Sequence, residues 1–366
     1  MINKFYFSVF CKSFFVLISI LLLNTSPVAA QPLKVGVAGL NHDHAYGLMS
    51  QYKNGEVIIL GIAEPDKELV NVYKQKYQLP DSVFYTTIND MLAHIKPDAV
   101  LAYNAIADHL SVVEACAPKG ISVMVEKPLA TTVKDAERMS ALAKQYHIQI
   151  LTNYETTWYS TNQQVYQMVN EKNTIGSVRK MVVHDGHQGP KEIGCSKYFL
   201  QWLTDPVKNG AGALTDFGCY GANLMTWMMM GKAPISVTAI THQIKPAIYP
   251  KVDDDATILL EYPDATGIIE ASWNWPYGIK DMEVFGEKGY LHALNGNSLM
   301  ARDTGNYYKV DVSPYTYKDN IAYLTAVLKG EIKPVNDLSS LDNNLIVVRI
   351  LEAAKKSAST GKKVLL

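Results

Sequence analysis

The sequence is poor in cysteine, and its charges nearly cancel. Only four of its 366 residues are cysteine, and one of these lies near the N-terminus. The other three, Cys116, Cys195 and Cys219, form an odd and widely spaced set. A disulfide framework is therefore excluded, and the fold must depend on its core. The formal net charge of −1 at pH 7 gives no reason to expect a nucleic acid or an acidic polymer as partner.

Long apolar runs are missing except near the N-terminus. Two lysines precede the apolar run 14–23, and small residues follow at 28–30. This pattern predicts a secretory signal peptide over 1–30, cleaved after Ala30. An uncleaved membrane anchor is the alternative, although the run is short for a bilayer span. We therefore expect an exported, periplasmic protein with no stable membrane anchor after cleavage.

The first half alternates apolar strands with amphipathic helices. The predicted strands are 33–39, 57–63, 83–85, 99–102 and 121–125, and the predicted helices are 45–52, 67–77, 88–94, 108–117 and 132–146. Strands that alternate with helices predict an α/β fold with a doubly wound parallel sheet. We expect this part to be a nucleotide-binding Rossmann domain over 31–152.

The turn after the first strand of such a domain binds the pyrophosphate of a dinucleotide. The turn residues predicted to contact the cofactor are Gly39, Leu40, Asn41 and His42. Asn41 and His44 stand where the usual motif has glycines. Asparagine tolerates a left-handed conformation, so Asn41 can keep the turn, whereas His44 adds bulk. A metal site at His42, Asp43 and His44 is an alternative, but a polar helix cap explains these residues more simply, and we predict no metal.

Two further positions bear on the cofactor and the chemistry. Glu64 ends the second strand, where an acid binds the adenosine ribose and favours NAD over NADP; the alternative is a surface acid before a turn. Glu126-Lys127-Pro128 ends the strand 121–125, because proline cannot continue the ladder. A lysine held at this edge can donate protons or hold an oxyanion, unless it belongs to a solvated strand end.

The pattern changes after residue 151. Helices are predicted at 158–171 and 216–230, and strands at 177–185, 236–243, 256–262, 266–273, 281–285 and 290–294. We expect an α+β domain over 153–316 with an open, mostly antiparallel sheet, followed by C-terminal helices over 317–366. In the helix 216–230, the side chains of Asp216, Tyr220 and Asn223 are predicted to share one face.

The runs 36–39, 64–66, 126–130 and 212–218 resemble motifs of the glucose–fructose oxidoreductase, inositol dehydrogenase and MocA family. The resemblance implies that Lys127 lies beside the nicotinamide and the reacting carbon, with Asp216 as the family's acidic residue. Tyr220 stands where many members have a catalytic histidine, and a nearby lysine is expected to lower its pKa. The last helix is implied to pack on the first domain, and the open sheet to form homo-oligomers.

The same resemblance suggests contacts for ligands. Cofactor contacts are implied for Asn104, His109, Glu126 and Lys127, and substrate contacts are predicted for Asn223, His187 and Trp158. Trp202, Trp273 and Trp275 offer further faces for stacking on a sugar, although such residues often lie in the core.

Three functions are considered. The first is an exported NAD(P)-dependent oxidoreductase that acts on a hydroxyl of a sugar, polyol or glycoside and holds its NAD tightly, since free NAD is scarce outside the cytoplasm. The second is an NAD-dependent glycosidase that works by transient oxidation and elimination. The third is a non-catalytic carbohydrate-binding protein built on a decayed dehydrogenase. The altered glycine turn favours the third function, and the retained Lys127 and Asp216 favour an enzyme.

Overall fold

The structure is a computed structural model and describes residues 31–303 and 305–366. The signal peptide predicted at 1–30 lies outside the described residues and stays a prediction. Among the described helices, none combines the length and the apolar character that crossing a membrane requires.

Six parallel strands form the first sheet, in the order β3-β2-β1-β4-β5-β6. Its elements are β1 (Leu33–Ala38), α1 (Ala45–Lys53), β2 (Val57–Ala63), α2 (Lys67–Tyr77), β3 (Phe84–Tyr85), α3 (Ile88–His94), β4 (Ala99–Ala102), α4 (His109–Cys116), β5 (Ser122–Glu126), α5 (Val133–Tyr146) and β6 (Ile150–Asn153). The predicted doubly wound α/β sheet is confirmed. The strand order reverses between β1 and β4, so the ligand crevice of this fold lies beyond their carboxyl ends.

Local sequence explains why these elements form where they do. Every residue of β4 and β5 is buried, as expected for strands covered by helices on both faces. Asp66, Thr87 and Thr132 each accept hydrogen bonds from backbone N–H groups at the start of α2, α3 and α5. The caps fix where each helix begins and thereby hold the strand ends at one edge of the sheet.

The second sheet has nine strands in the order β14-β13-β12-β11-β7-β10-β9-β8-β15, and β7–β10 is its parallel pair. The elements of this half are α6 (Ser160–Tyr166), β7 (Val178–Gly186), α7 (Lys197–Leu203), α8 (Ala213–Asp216), α9 (Gly218–Met228), β8 (Ser236–His242), β9 (Asp255–Glu261), β10 (Thr266–Ser272), β11 (Ile279–Gly286), β12 (Tyr290–Ala293), β13 (Leu299–Arg302), β14 (Tyr307–Val310), α10 (Asn320–Leu328), α11 (Leu341–Thr360) and β15 (Val364–Leu365). The expected open, mostly antiparallel sheet is confirmed.

One face of the nine-stranded sheet is covered by α9, whose residues are all buried. The long helix α11 packs on α9 and also contacts α5 of the first half. Arg349 of α11 lies 3.3 Å from Glu137, and Lys355 donates a hydrogen bond of 2.8 Å to the carbonyl of Thr131. α11 therefore contacts both halves of the chain and contributes to a core cluster in each. The homo-oligomer expected through the open sheet stays a prediction.

The face turned away from α9 carries a polar ladder across three neighbouring strands. Nδ1 of His184 lies 2.6 Å from Oδ1 of Asp281, and Nε2 of His292 lies 2.9 Å from Oδ2 of the same carboxylate. Burial alone would raise the pKa of Asp281, but the two histidines lower it to about 2. The hydrogen bond to Asp281 raises the pKa of His184.

Replacing Asp281 with Asn is expected to destabilise the protein in a pH-dependent way. The carboxylate stabilises the fold above its unfolded pKa of about 4 and loses this effect as the pH falls toward 2. The protonated His184 stabilises the fold fully below about pH 6.5, the pKa of histidine in the unfolded chain. This stabilisation is lost as the pH rises through the raised pKa that His184 has in the folded protein. We expect a loss on the order of 1–2 kcal/mol in the free energy of unfolding at pH 5 and a smaller loss at pH 9.

Urea unfolding at the two pH values measures this difference. Asp264→Asn, in an exposed turn, is the matched control and should change little at either pH. Equal losses for Asp281→Asn at pH 5 and pH 9 would contradict the titration of the ladder.

Candidate active site

A buried ion pair lies at the end of β5. Glu126 ends the strand, and Lys127 follows it, joined to Pro128 by a cis peptide bond. Nζ of Lys127 donates to Oδ1 of Asp216 at 2.5 Å and to its backbone carbonyl at 3.0 Å. Oδ2 of Asp216 accepts from Nε1 of Trp273 at 3.0 Å. Only 5% of the Lys127 side chain is exposed, so this strand end is not solvated.

Both members of the pair stay charged near neutral pH. Burial alone would lower the pKa of Lys127, but the negative charge of Asp216 raises it above its usual value. Burial would likewise raise the pKa of Asp216, but the charge and hydrogen bond of Lys127 lower it. The pair therefore presents a fixed ammonium group and does not exchange protons at neutral pH.

The loop before α8 fixes the position of Asp216. The carboxylate of Asp253 accepts hydrogen bonds from the N–H groups of Gly212 at 2.8 Å and Leu214 at 2.7 Å. The backbone carbonyl of Asp253 approaches so closely that a Cβ atom on Gly212 would lie 1.7 Å from its oxygen. The glycine-rich run before Asp216 is therefore explained by this close passage of two backbones.

Tyr220 lies beside the pair, but the expectation about its pKa is wrong. Nζ of Lys127 lies 5.1 Å from the centroid of the Tyr220 ring, and Nζ of Lys280 lies 4.5 Å from it. Burial raises the pKa of Tyr220 well above its usual value, in spite of the two lysines. The phenol stays neutral, and its ring lines the site and makes cation–π contacts with both ammonium groups.

The predicted common face of Asp216, Tyr220 and Asn223 is also wrong. Two helices, α8 and α9, replace the single predicted helix, with Phe217 between them. The side chain of Asn223 is fully buried, and its Nδ2 donates to the carbonyl of Leu338 at 2.8 Å. Through Nδ2, Asn223 therefore holds α9 to the segment before α11, and its predicted contact with a substrate stays a prediction.

His187 joins the site as a hydrogen-bond donor. Its Nδ1 accepts from the N–H of Gly189 at 2.9 Å, so the proton of the neutral ring is on Nε2. The ring stands edge-on to Phe217, with centroids 4.9 Å apart. Burial lowers the pKa of His187, and Asp216 and Lys127 are among the charges that influence it. The structure thus brings His187 together with the ion pair.

Trp158 lines a neighbouring cavity of about 430 Å³. The polar and aromatic residues around it are Asp43, His44, Gln51, Tyr103, Asn153, Glu155, Trp158 and Asn320. Nε1 of Trp158 donates to Oδ1 of Asn153 at 3.1 Å, which fixes the indole in the cavity wall. Trp273 offers no face to a sugar because it is fully buried, and Trp202 is almost as deeply buried.

The carboxylate of Glu64 holds the glycine turn in place through hydrogen bonds. Its carboxylate accepts from the N–H of Leu40 at 2.8 Å and from the N–H of Asp66 at 2.9 Å. Only 5% of the residue is exposed, so it is not a surface acid. Both hydrogen bonds keep the turn close to the end of β2.

The helix α7 lies over the same turn, which the sequence did not predict. Nε1 of Trp202 donates to the carbonyl of Asn41 at 3.0 Å, and the N–H of Ser196 donates to Asp43 at 2.9 Å. The rings of Phe199 and Trp202 lie 4.7 and 5.3 Å from that of His42. The turn is therefore covered by the second half of the chain.

Four predicted cofactor residues nevertheless have buried polar atoms without a partner among the described residues. These atoms are Oδ1 of Asn41, Nε2 of His42, Oδ1 of Asn104 and Nε2 of His109. Nδ1 of His42 accepts from the N–H of His44, so its Nε2 carries a proton. Nδ1 of His109 pairs with the carbonyl of Leu129, so its Nε2 is an acceptor. Unpartnered buried atoms are costly, and this mixture of donors and acceptors fits a polar ligand such as a dinucleotide.

Gly39 and Glu126, which were also predicted to contact the cofactor, lie at the same edge of the parallel sheet. A Cβ atom on Gly39 would lie 2.7 Å from Cβ of Asn104, which shows how closely the ends of β1 and β4 meet. Glu126 is 1% exposed; its Oε1 accepts from Nδ2 of Asn153 and its Oε2 pairs with Nδ1 of His44, both at 2.8 Å.

His42, His44 and Glu126 also have potential metal-ligand atoms within 4.8 Å of one another. Nδ1 of His44 already pairs with Oε2 of Glu126, and Nδ1 of His42 already accepts from the backbone N–H of His44. The arrangement is that of a hydrogen-bonded chain. The absence of a metal stays a prediction.

Sequence reasoning missed Asp185, Lys280 and Glu155, which lie close to Tyr220 and Lys127. In β7, Asp185 follows Met181 and Val183 on the inward face of the strand. A charged residue on the buried face of an alternating strand was the sequence signal that could have identified it. Lys280 was missed because β11 begins at Ile279, two residues before the predicted start.

Both halves of the chain match known protein families. Residues 33–154 match a family model described as an oxidoreductase family with an NAD-binding Rossmann fold. Residues 162–292 match a model described as a GFO/IDH/MocA C-terminal domain.

Similar proteins share low sequence identity. Trans-1,2-dihydrobenzene-1,2-diol dehydrogenase of Xenopus tropicalis is 23% identical over 206 residues, which is 56% of this chain and 57% of that protein. The aldose-aldose oxidoreductase of Caulobacter crescentus, complexed with glycerol, superimposes with a TM-score of 0.77 at 23% identity, covering 92% of this chain and all of that one. An inositol dehydrogenase homologue of Azotobacter vinelandii with NAD+ gives 0.77 at 16% identity, covering 92% and 98%. At these identities the structural likeness concerns the fold.

Proposed function

The chain belongs to the GFO/IDH/MocA oxidoreductase family, and from this premise we propose that it is an NAD-dependent enzyme acting on a hydroxyl of a sugar, polyol or glycoside. The observation that carries the proposal is the buried Lys127–Asp216 pair at the ligand-binding edge of the parallel sheet. A buried charge pair is costly to desolvate, and here it stands where a substrate oxygen would meet the cofactor.

Lys127 orients and stabilises the reacting oxygen. An ammonium group has three N–H bonds, and two of them are used by the carbonyl and the carboxylate of Asp216. The third remains for a substrate oxygen, where it stabilises the negative charge that develops as the O–H bond breaks. Nε2–H of His187 is a second donor at the site.

Asn41, His42, Asn104 and His109 would hold the cofactor through their unpartnered atoms. A nicotinamide dinucleotide supplies hydride acceptance and donation when it is bound. The acid Glu64 at the end of β2 favours NAD, since a phosphate on the ribose would be repelled there. We expect the cofactor to be held tightly, as the predicted export to a compartment with little free NAD requires.

The proposed substrate class rests on the cavity and on the relatives. The cavity wall combines the aromatic rings of Trp158 and Tyr103 with carboxylate and amide groups that can bind hydroxyls. The similar structures include proteins named for an aldose and for inositol. Glycoside cleavage by transient oxidation would use the same ion pair, and product analysis separates it from simple oxidation.

A carbohydrate-binding protein without catalysis is the second candidate. The specific observation in its favour is the direct contact of α7 with the glycine turn, where Trp202 bonds to Asn41.

The cofactor content of the purified protein tests the proposal. Residues 31–366 would be produced in cells, purified and denatured, and the released NAD(H) measured by absorbance and mass. We expect about one dinucleotide per chain, and less for Asn104→Ala, which loses one of the unpartnered acceptors. Asn71→Ala, on the exposed side of α2, is the matched control. A protein that is empty and also fails to bind added NAD would move the second candidate to first place.

A further inference from the structure

Asp185 is a buried carboxyl group that the roles described so far do not use. It ends the inward face of β7 and is 1% exposed. Neither of its oxygens has a hydrogen-bond partner among the residues that the structure describes. A buried carboxylate without donors is costly, so its presence needs a functional reason.

Lys280 links Asp185 to the cavity. Nζ of Lys280 lies 3.9 Å from Oδ1 of Asp185 and 2.5 Å from an oxygen of Glu155. Glu155 lines the cavity of about 430 Å³ and also accepts from the hydroxyl of Tyr159 at 2.7 Å. One cation is thus shared between two carboxyl groups, and one of these faces the space offered to a substrate.

Lys127, Tyr220 and His187 do not take up a proton at neutral pH. Lys127 is already an ammonium, held in that state by Asp216. Tyr220 is a neutral phenol with a raised pKa. His187 has its Nδ1 occupied by the N–H of Gly189 and its Nε2 protonated. Oxidation of an alcohol releases a proton, so the site requires another acceptor.

The groups that face Asp185 determine how it titrates. They are Lys280 from β11, Glu155 and Tyr159 from the segment after β6, Lys127 from the end of β5, Asp216 from α8, and Tyr220 and Cys219 from α9. Burial raises the pKa of Asp185 to about 8, and the positive charges of Lys280 and Lys127 only partly offset this effect. The carboxyl group is therefore poised to gain or lose a proton near neutral pH, which suits acid–base catalysis.

We infer that Asp185 is the proton-exchanging group of this site, connected to the cavity through Lys280 and Glu155. In the oxidation, the O–H and C–H bonds of the carbinol break and a C=O bond forms. The hydride, with its electron pair, passes to the nicotinamide dinucleotide, and the hydroxyl proton passes to the Asp185 carboxylate. The reverse reaction returns both. The inference rests on the proposed function, and Lys280 and Glu155 are positioning residues in it.

Asp185→Asn removes the titrating group and keeps the shape of the side chain. In the oxidation direction, kcat of the holoenzyme is expected to rise with pH to a plateau, with an apparent pKa near 8. Asp185→Asn should lose this limb and lower kcat by about 100-fold, with little change in KM. Glu270→Gln, on the other face of the neighbouring strand β10, is the control and should keep the limb. A pH limb retained in Asp185→Asn overturns the inference.

A second measurement uses the protein without substrate. Carbon-13 NMR of aspartate-labelled protein should contain one carboxyl resonance that titrates near pH 8 and is missing in Asp185→Asn. Thermal melting should fall little in that variant, because the Asp185 carboxyl makes no hydrogen bond among the described residues that asparagine would lose. If no polyol is turned over but this resonance is found, the proposed function fails and the proton site stands. If the wild type lacks the resonance, or Asp185→Asn keeps it, the inference is overturned.

Discussion

Lys127→Met is expected to reduce turnover by about a hundredfold to a thousandfold, the range found when one charge-stabilising donor is removed from a reacting oxygen. Methionine matches the length of the lysine stem but offers no N–H. The loss should appear in kcat rather than in KM, because the third N–H acts mainly on the charge that develops in the transition state. Steady-state kinetics with a polyol substrate and NAD measures both parameters.

The same change is expected to destabilise the fold. It leaves the carboxylate of Asp216 buried with Trp273 as its side-chain donor, at a cost of about 3–5 kcal/mol in the free energy of unfolding. Replacing both partners, as in Lys127→Met with Asp216→Asn, should recover most of this stability and none of the turnover. Urea unfolding and kinetics on the two single variants and the double variant separate the effects. Wild-type turnover in Lys127→Met would contradict the role of the ion pair.

Gly212→Ala is the second change with a large expected effect. The new methyl group would lie 1.7 Å from the carbonyl oxygen of Asp253, so one of the two backbones must move. The movement would break the hydrogen bonds from Gly212 and Leu214 to the carboxylate of Asp253. We expect a loss on the order of 3 kcal/mol or more in the free energy of unfolding. Because Asp216 follows this loop directly, turnover should fall as well.

Gly278→Ala provides the matched control. No heavy atom lies within 4 Å of a Cβ placed on Gly278, so this glycine-to-alanine change should leave the unfolding midpoint nearly unchanged. Chemical unfolding and circular dichroism of both variants measure the difference. A Gly212→Ala protein with the stability and turnover of the wild type would mean that the loop position is not set by the close approach to Asp253.

The first sheet was predictable because its information is local. Continuous apolar runs such as β4 and β5, separated by capped helices, specify a parallel sheet without knowledge of distant contacts. The pairing of Lys127 with Asp216 joins residues 89 positions apart, and the sequence suggested it only through resemblance to a family. The resemblance of the motifs did not give the distance between Lys127 and Asp216 or the burial of the pair.

The errors share a physical cause, because each depends on packing between distant segments. The pKa of Tyr220 is set by burial under the nine-stranded sheet, whereas the sequence offered only the neighbouring lysine. Asn223 contacts Leu338 and Asn344, which lie more than 100 residues further along the chain. The position of α7 over the glycine turn depends on contacts of Trp202 that span 161 residues. Periodicity within a segment carries no information on such contacts.

The hydrogen bonds that fix the histidine tautomers have a consequence for selectivity. His42 and His187 each accept, through Nδ1, the N–H of the residue two positions further along the chain, so each keeps its proton on Nε2. Together with the ammonium of Lys127, they place N–H donors with defined protons at this edge of the sheet. In the proposed reaction these donors match the negative charge that develops on the substrate oxygen, whereas an amine of similar shape brings N–H donors of its own and matches them less well.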